Sequence, residues 1–325
     1  MIKNYMAKYS LFNKIILALL LLSSISKTQN LSVAAFSRIG FGSRGIALGN
    51  AMGAVTYGEV VGYYNPAVLP FANIKKASLT IGILSLDRNL DFLHYTQSLY
   101  PAAGFSIFLI RAGVKNIESR DVDGYLVENL NTSEYLLGFS FANRIVDRLS
   151  IGLSLKLYYN RLYHEVKSQT LGIDFGTLFK LNENISLALS IHDLNAGYKW
   201  DSSIIYQEKG RTFTEKFPVT KRFSASYVLK DIFLLSANLN IIGVEKRINF
   251  GTEIFPLYFL LKQFKNIANN FCLRGGIEIF DYTHFSAGFG INRKIGNFIF
   301  TFDYTYRFEK YSPFGIQLLT IGIEI

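Results

Sequence analysis

From Asn297 to Phe308 the sequence alternates without interruption. Phe298, Phe300, Phe302, Tyr304, Tyr306 and Phe308 share one side of an extended chain, and Asn297, Ile299, Thr301, Asp303, Thr305 and Arg307 share the other. Side chains of a β-strand point to opposite faces with period two, so this segment has one apolar face and one mainly polar face. At about twelve residues it is roughly twice an ordinary soluble strand and close to what a tilted strand needs to cross a bilayer. An unbroken aromatic face of that length is an aggregation hazard in water. Against acyl chains it is in its proper solvent.

The same pattern recurs along the chain. Ala77, Leu79, Ile81 and Ile83 form one apolar face; Leu149, Ile151, Leu153, Leu155, Leu157 and Tyr159 form another, opposed by Ser150, Gly152, Ser154, Lys156, Tyr158 and Asn160. With the weaker stretch Leu90–Leu99 and the terminal stretch Phe314–Ile325, about fourteen such strands follow one another. An even number is what bacterial outer-membrane barrels have. Charged residues are only 18% of the chain and aromatics 15%, a profile more apolar than a soluble domain. No stretch reaches the roughly eighteen consecutive apolar residues of a spanning helix. In hydrocarbon every backbone polar group must be paired internally, which leaves a closed barrel. The expected fold is therefore all-β, a transmembrane antiparallel β-barrel, and the strand lengths argue against a soluble β-sandwich.

Three regions are expected. Residues 1–26 read as a secretory leader, with Lys3, Lys8 and Lys14 ahead of the short apolar run Ile15–Leu22. Residues 27–74 are rich in small residues and lack alternation, which suits close backbone packing and not strand pairing. Residues 75–325 make the barrel. Long connections at Ala112–Ser133 and Asn195–Lys221 fall on odd positions and tight turns at Tyr100–Pro101, Asn143–Asp147, Asn182–Asn184 and Lys230–Asp231 on even ones, as expected when the long loops share the outer side. Pro256–Asn270 is long on an even position, where Leu257–Phe264 is apolar enough for a short helix. The formal charge of +10 includes the three leader lysines, leaving +7 beyond them. No basic run with interleaved aromatics supports nucleic-acid binding. Cys272, the single cysteine, excludes an internal disulfide.

The block Ala34–Ala51, with Arg38, Gly40, Gly42, Arg44 and Gly49, followed by Tyr63-Tyr64-Asn65-Pro66-Ala67, resembles the start of the PorV/PorQ family within the wider group of FadL-like outer-membrane barrels. Gly172–Gly176, Lys199-Trp200-Asp201, Phe217-Pro218 and Leu273–Gly276 are similar in the expected order. The resemblance implies a fourteen-stranded barrel in the outer membrane whose N-terminal segment folds into the lumen as a hatch, with the Asn65-Pro66-Ala67 turn near its end. It implies a role around type IX secretion, with secretion components and exported cargo as partners; the loops Ala112–Ser133 and Asn195–Lys221 are then the expected contact surface. The alternative is a FadL-like passive channel for a hydrophobic small molecule such as a fatty acid or hydrocarbon. Where the family often has an acidic pair before the turn, this chain has Gly58-Glu59. Arg38 and Arg44 are costly inside a lumen unless paired, and Asp174, Glu253, Glu278 and Asp303, on the expected inward face, are the candidate partners.

Candidates for chemistry are few, and the chain is expected to be no enzyme and to hold no cofactor or metal. His94, His164, His192 and His284 fall at or near expected strand ends or loops, without metal-ligand spacing. His94 and Ser98 share a strand face but lie about 13 Å apart, too far for a nucleophile and its base. Tyr95, Trp200 and Tyr304 read as interface-belt or lumen-packing aromatics. Phe108, Ile110 and Leu178 are expected to point inward, where an apolar pocket or the hatch would meet them.

Overall fold

The computed structural model describes residues 32–163, 166–229, 232–256, 271–310 and 312–325. The expected leader and the apolar run Leu257–Phe264 lie outside the described residues. The strands in chain order begin with β1 (Lys75–Leu84), β2 (Arg88–Leu99), β3 (Ala103–Val114), β4 (Ile117–Arg120), β5 (Leu126–Leu130) and β6 (Ser133–Val146). Then come β7 (Leu149–Tyr163), β8 (Val166–Lys180), β9 (Ile185–Leu194), β10 (Gly197–Asp201), β11 (Thr212–Lys216) and β12 (Thr220–Leu229). The series ends with β13 (Phe233–Ile242), β14 (Glu245–Ile254), β15 (Phe271–Ile279), β16 (Thr283–Ile295), β17 (Phe298–Glu309) and β18 (Ser312–Glu324).

Fourteen of these close one antiparallel barrel, in which each strand pairs with its sequence neighbours and β1 pairs with β18. The remaining four form two hairpins, β4–β5 and β10–β11, inside the connections after β3 and β9. Both hairpins lie at one end of the barrel. The opposite end carries the tight turns and brings the barrel's first and last strands together, Ile325 N donating to Lys75 O at 2.9 Å. Among the described residues this agrees with the odd and even loop pattern read from the sequence; the Lys230–Asp231 turn and residues 257–270 lie outside them.

Period two decides which face each residue takes. Along β7, Ser150, Ser154, Lys156, Tyr158 and Asn160 are buried in the bore while Ile151, Leu153, Leu155 and Leu157 are exposed outside. On β17 the exposed residues are the phenylalanines, Phe298 at 42% and Phe302 at 39%. Large apolar side chains left outside on strand after strand make sense only where the surrounding medium is itself apolar. No described helix is long and apolar enough to cross a membrane.

Residues 32–74 form no strand. They make a 3₁₀ turn at Ala35–Arg38, an α-helix at Gly42–Ala47, a second 3₁₀ turn at Pro66–Val68 and a short helix at Leu69–Ala72. The Gly42–Ala47 helix packs against the inner faces of β15, β16, β17, β18 and β1. The segment thus lies inside the cylinder before leading into β1.

Candidate functional site

A chain without strands or long helices carries many peptide groups that must be satisfied when buried. Here the inward Ser, Thr and Asn side chains of the wall do this. Thr305 Oγ1 donates to Ser43 O at 2.8 Å, Asn249 Nδ2 to Gly49 O at 2.6 Å and Asn238 Nδ2 to Asn50 O at 2.9 Å. Ser226 Oγ donates to Ala54 O at 2.7 Å, Thr96 Oγ1 to Val60 O at 3.0 Å and Ser150 Oγ to Ala67 O at 2.5 Å. The polar half of each strand's alternation is therefore the counterpart of the inner segment's backbone. Gly40, Gly42 and Gly49 all have positive φ. At Gly49 the wall is also closest: a Cβ there would sit 2.7 Å from Ile277 N, and one on Gly276 would sit 2.0 Å from Gly49 N. Backbone meets backbone because neither partner has a side chain.

Asn65 closes the segment. Its Oδ1 accepts from Ala67 N at 3.0 Å, capping the Pro66–Val68 turn, while Nδ2 donates to Gly53 O at 2.8 Å. Pro66 suits the first turn position because its missing N–H is one that no helical bond would use.

Arg44 reaches Glu253 with both Nε and Nη2, at 2.9 Å each, and donates Nη1 to Tyr57 O at 2.8 Å and Glu59 O at 2.6 Å. Arg274 joins the same carboxylate at 2.6 Å and Asp303 at 2.5 Å. Two arginines and two carboxylates make a neutral buried quartet. The other expected partners are taken by side chains of the wall. Lys156 and His192 hold Asp174, at 2.8 and 2.9 Å, and Arg307 holds Glu278 at 3.1 Å. Arg38 turns to its own segment, donating Nη2 to Val33 O at 2.7 Å. The sequence placed these carboxylates on the inward face without showing that other side chains of the wall, on adjoining strands or one strand further round, reach them first.

A third cluster was missed. Glu59 accepts from Lys76 at 2.8 Å and from Ser78 at 3.2 Å, and Ser78 bonds His94 Nδ1 at 2.9 Å. Burial pushes the Glu59 carboxyl up, but Lys76, with His94 and Arg44, outweighs it and holds the group at about 2. His94 corrects the sequence reading: it lies mid-strand in β2, buried on the lumen side, not near a strand end. Leu90 and Phe92 also face inward there. With apolar residues on both faces, alternation fades and the strand's extent is hidden.

Ser190 Oγ bonds His192 Nε2 at 2.8 Å, and His192 Nδ1 bonds Asp174 at 2.9 Å, the order of a hydrolase relay. Ser190 is 3% exposed, so no acyl carbon reaches its Oγ in this arrangement. Ser98, the other candidate nucleophile, is occupied far from His94 by Ile74 N and Leu69 O.

The bore is divided around its circumference. On β18, β2, β3, β6 and β7 the inner wall carries a cluster of apolar and aromatic side chains: Leu318, Leu90, Phe92, Ile110, Leu136 and Tyr158. Residues of the inner segment cover it, Phe41 standing 5.0 Å from Phe92 and 5.8 Å from Phe108, and Phe36 6.5 Å from Tyr158. The β10–β11 hairpin adds Tyr198 and Trp200 to the same cluster, with Phe217 just beyond it 4.8 Å from Tyr158. Trp200 is therefore a packing residue, whereas Tyr95 and Tyr304 lie outside the bore, bonded to Gln97 and Gln317. Leu178 packs in a second cluster with Ala67, Val68 and Leu69. From β7 onward the wall carries most of the buried charged side chains, with Leu178, Leu234 and Ile242 among them.

No protein-family model matches the sequence, and no curated protein matches it. In three dimensions the chain resembles the toluene transporter TbuX of Ralstonia pickettii, with a TM-score of 0.58 and 12% identity over 88% of this chain and 97% of that one. It resembles a Pseudomonas aeruginosa FadL homologue with a TM-score of 0.59 and 9% identity, over 88% and 98%. The monoaromatic hydrocarbon channel CymD gives 0.60 and 12%, over 91% and 98%. At such identities the likeness is one of fold: a fourteen-stranded barrel of the FadL type. The proteins resembled are transporters and channels, not enzymes.

Proposed function

We propose that this protein is an outer-membrane channel through which small hydrophobic molecules pass, with residues 27–74 as its hatch. The observation that carries this reading is the apolar sector inside the bore. A lumen that only had to hold a plug or water would be polar all round. Here Leu90, Phe92, Phe108, Ile110 and Leu136 line one side and are covered by the inner segment, not by other strands. A hydrophobic solute displacing Phe36, Phe41 and Tyr63 would find a continuous apolar surface. The hydrocarbon channels that share the fold support the same class of solute. The apolar exterior of the barrel supports a surrounding of membrane lipids.

The test is uptake of radiolabelled toluene and of a labelled fatty acid by cells with and without the barrel. Ile110→Glu should lower uptake at least tenfold, while the outward Leu109→Gln should leave it within twofold. Uptake equal in all strains would sink the proposal.

Docking of exported cargo in type IX secretion is the second reading. The tip of β4–β5 favours it, with Val122 at 101% and Tyr125 at 74% exposure. The comparisons lend it no support, and recovery of secretion components with the intact barrel, lost on deleting residues 117–130, is its test.

A further inference from the structure

Along the outside of β7 and β8 the apolar faces end together. Leu157 of β7 stands opposite Leu171 of β8, and the next outward pair toward the hairpin end is Tyr159 with Gln169. The ring of Tyr159 lies 6.2 Å from that of Tyr135 on β6. One outward step further, Arg161 of β7 stands directly opposite Lys167 of β8, and both are exposed. Directly opposed side chains of antiparallel strands have Cβ atoms about 5 Å apart, and like charges so placed repel. Neither cation is ion-paired among the described residues; Arg161 reaches only Ser133 Oγ, at 3.5 Å. The carboxylates of this region are engaged elsewhere, Asp91 with Arg111 at 3.7 Å and Glu128 with the hydroxyl of Tyr163 at 3.4 Å. At the opposite end of the barrel the outward cations of the described strands, Lys75 and Arg293, stand opposite Gln97 and Phe300.

Acyl chains cover the apolar faces, so a lipid's head group begins where those faces stop, at the height of Tyr159 and beyond it. We propose that Arg161 and Lys167 dock the phosphate of an anionic lipid in the leaflet at the hairpin end of the barrel. A phosphate between the two cations replaces their repulsion with attraction to both. The guanidinium of Arg161 presents paired N–H donors to two phosphate oxygens, and the ammonium of Lys167 adds a point charge. Tyr135 and Tyr159 then lie at the boundary between chains and head group, the level that amphipathic aromatic rings favour. With the long connections outside, as bacterial barrels have them, this is the outer leaflet. The site rests on the barrel lying in a membrane and not on which solute it passes.

The test uses the full chain in detergent, with lipid A and the same glycolipid stripped of its phosphates as probes. Native mass spectrometry should show lipid A retained at least fivefold more than the stripped form. Arg161→Gln and Lys167→Gln should each lower that preference at least threefold, while Arg293→Gln, at the other end, should leave it unchanged. Without lipid, Lys167→Gln should unfold no more easily than the parent, because it relieves a repulsion. With lipid A the parent should gain more thermal stability than the variant, as mass action requires of a ligand bound to the folded state. Equal retention of the two glycolipids, a preference unaltered in both variants, a destabilised lipid-free Lys167→Gln, or displacement of lipid A by equimolar inorganic phosphate overturns the assignment. Uptake enters none of these readouts, so a barrel that passes no solute can still hold the lipid.

Discussion

Replacing Arg44 with Met removes one member of a neutral buried quartet. Arg44 is 5% exposed, and it makes two bonds to Glu253 and two to the carbonyls of Tyr57 and Glu59. Without it, Glu253 and Asp303 share only Arg274, leaving one uncompensated negative charge out of water. Breaking a buried pair by removing one partner costs about 3–5 kcal/mol. The barrel's backbone ladder does not pass through Arg44, so the loss falls on attachment of the inner segment. At 1.4 kcal/mol per decade, opening of that segment should rise by roughly two to three and a half orders of magnitude. Hydrogen exchange followed by mass spectrometry on peptides covering residues 42–60 measures this, with β7 peptides as the internal control. Arg44→Met with Glu253→Gln restores neutrality around Arg274 and Asp303. The double variant should therefore lose less than the two single variants' costs added together. Exchange in 42–60 within threefold of the parent, or equal acceleration in β7, would show that the quartet does not hold the segment.

Gly276→Ala places a methyl 2.0 Å from Gly49 N, so protection at residues 47–51 should be lost while the barrel keeps its far-ultraviolet circular dichroism. Asn65→Ala removes the cap on the Pro66–Val68 turn and should cost about 1 kcal/mol, read as a small rise in protease cutting near residue 65. Glu59, at about 2 when folded against an ordinary 4.5, has a depressed folded value. Its contribution is therefore fully present above about 4.5 and fades as pH falls toward 2. Exchange of peptides covering 55–62 should quicken across that window, and Glu59→Gln should flatten the dependence; an unchanged acid profile in the variant would remove Glu59 from the account.

Which site residues could be read from the chain depended on distance along it. Asn65-Pro66-Ala67 was legible because capping is local: Asn65 reaches only two residues ahead. Arg44 and Glu253 are 209 residues apart, and nothing local distinguishes Glu253 from Glu278 as a partner. Glu59 gave no signal beyond being acidic in a small-residue segment, because Lys76 and His94 meet it only once β1 and β2 pair. Ser190, His192 and Asp174 align across β8 and β9, where the register slips by a bulge between Ile173 and Phe175, which period-two reasoning cannot see.

The alternation of residues such as those in β17 was enough to determine strands, their two faces, their approximate number and the medium outside, because each follows from neighbours one and two residues apart. The register at which β1 meets β18, the split of the bore into apolar and charged sectors, and the choice of ion partners were decided only in three dimensions. Inward positions on different strands become neighbours through register and curvature. No property of a single strand contains either.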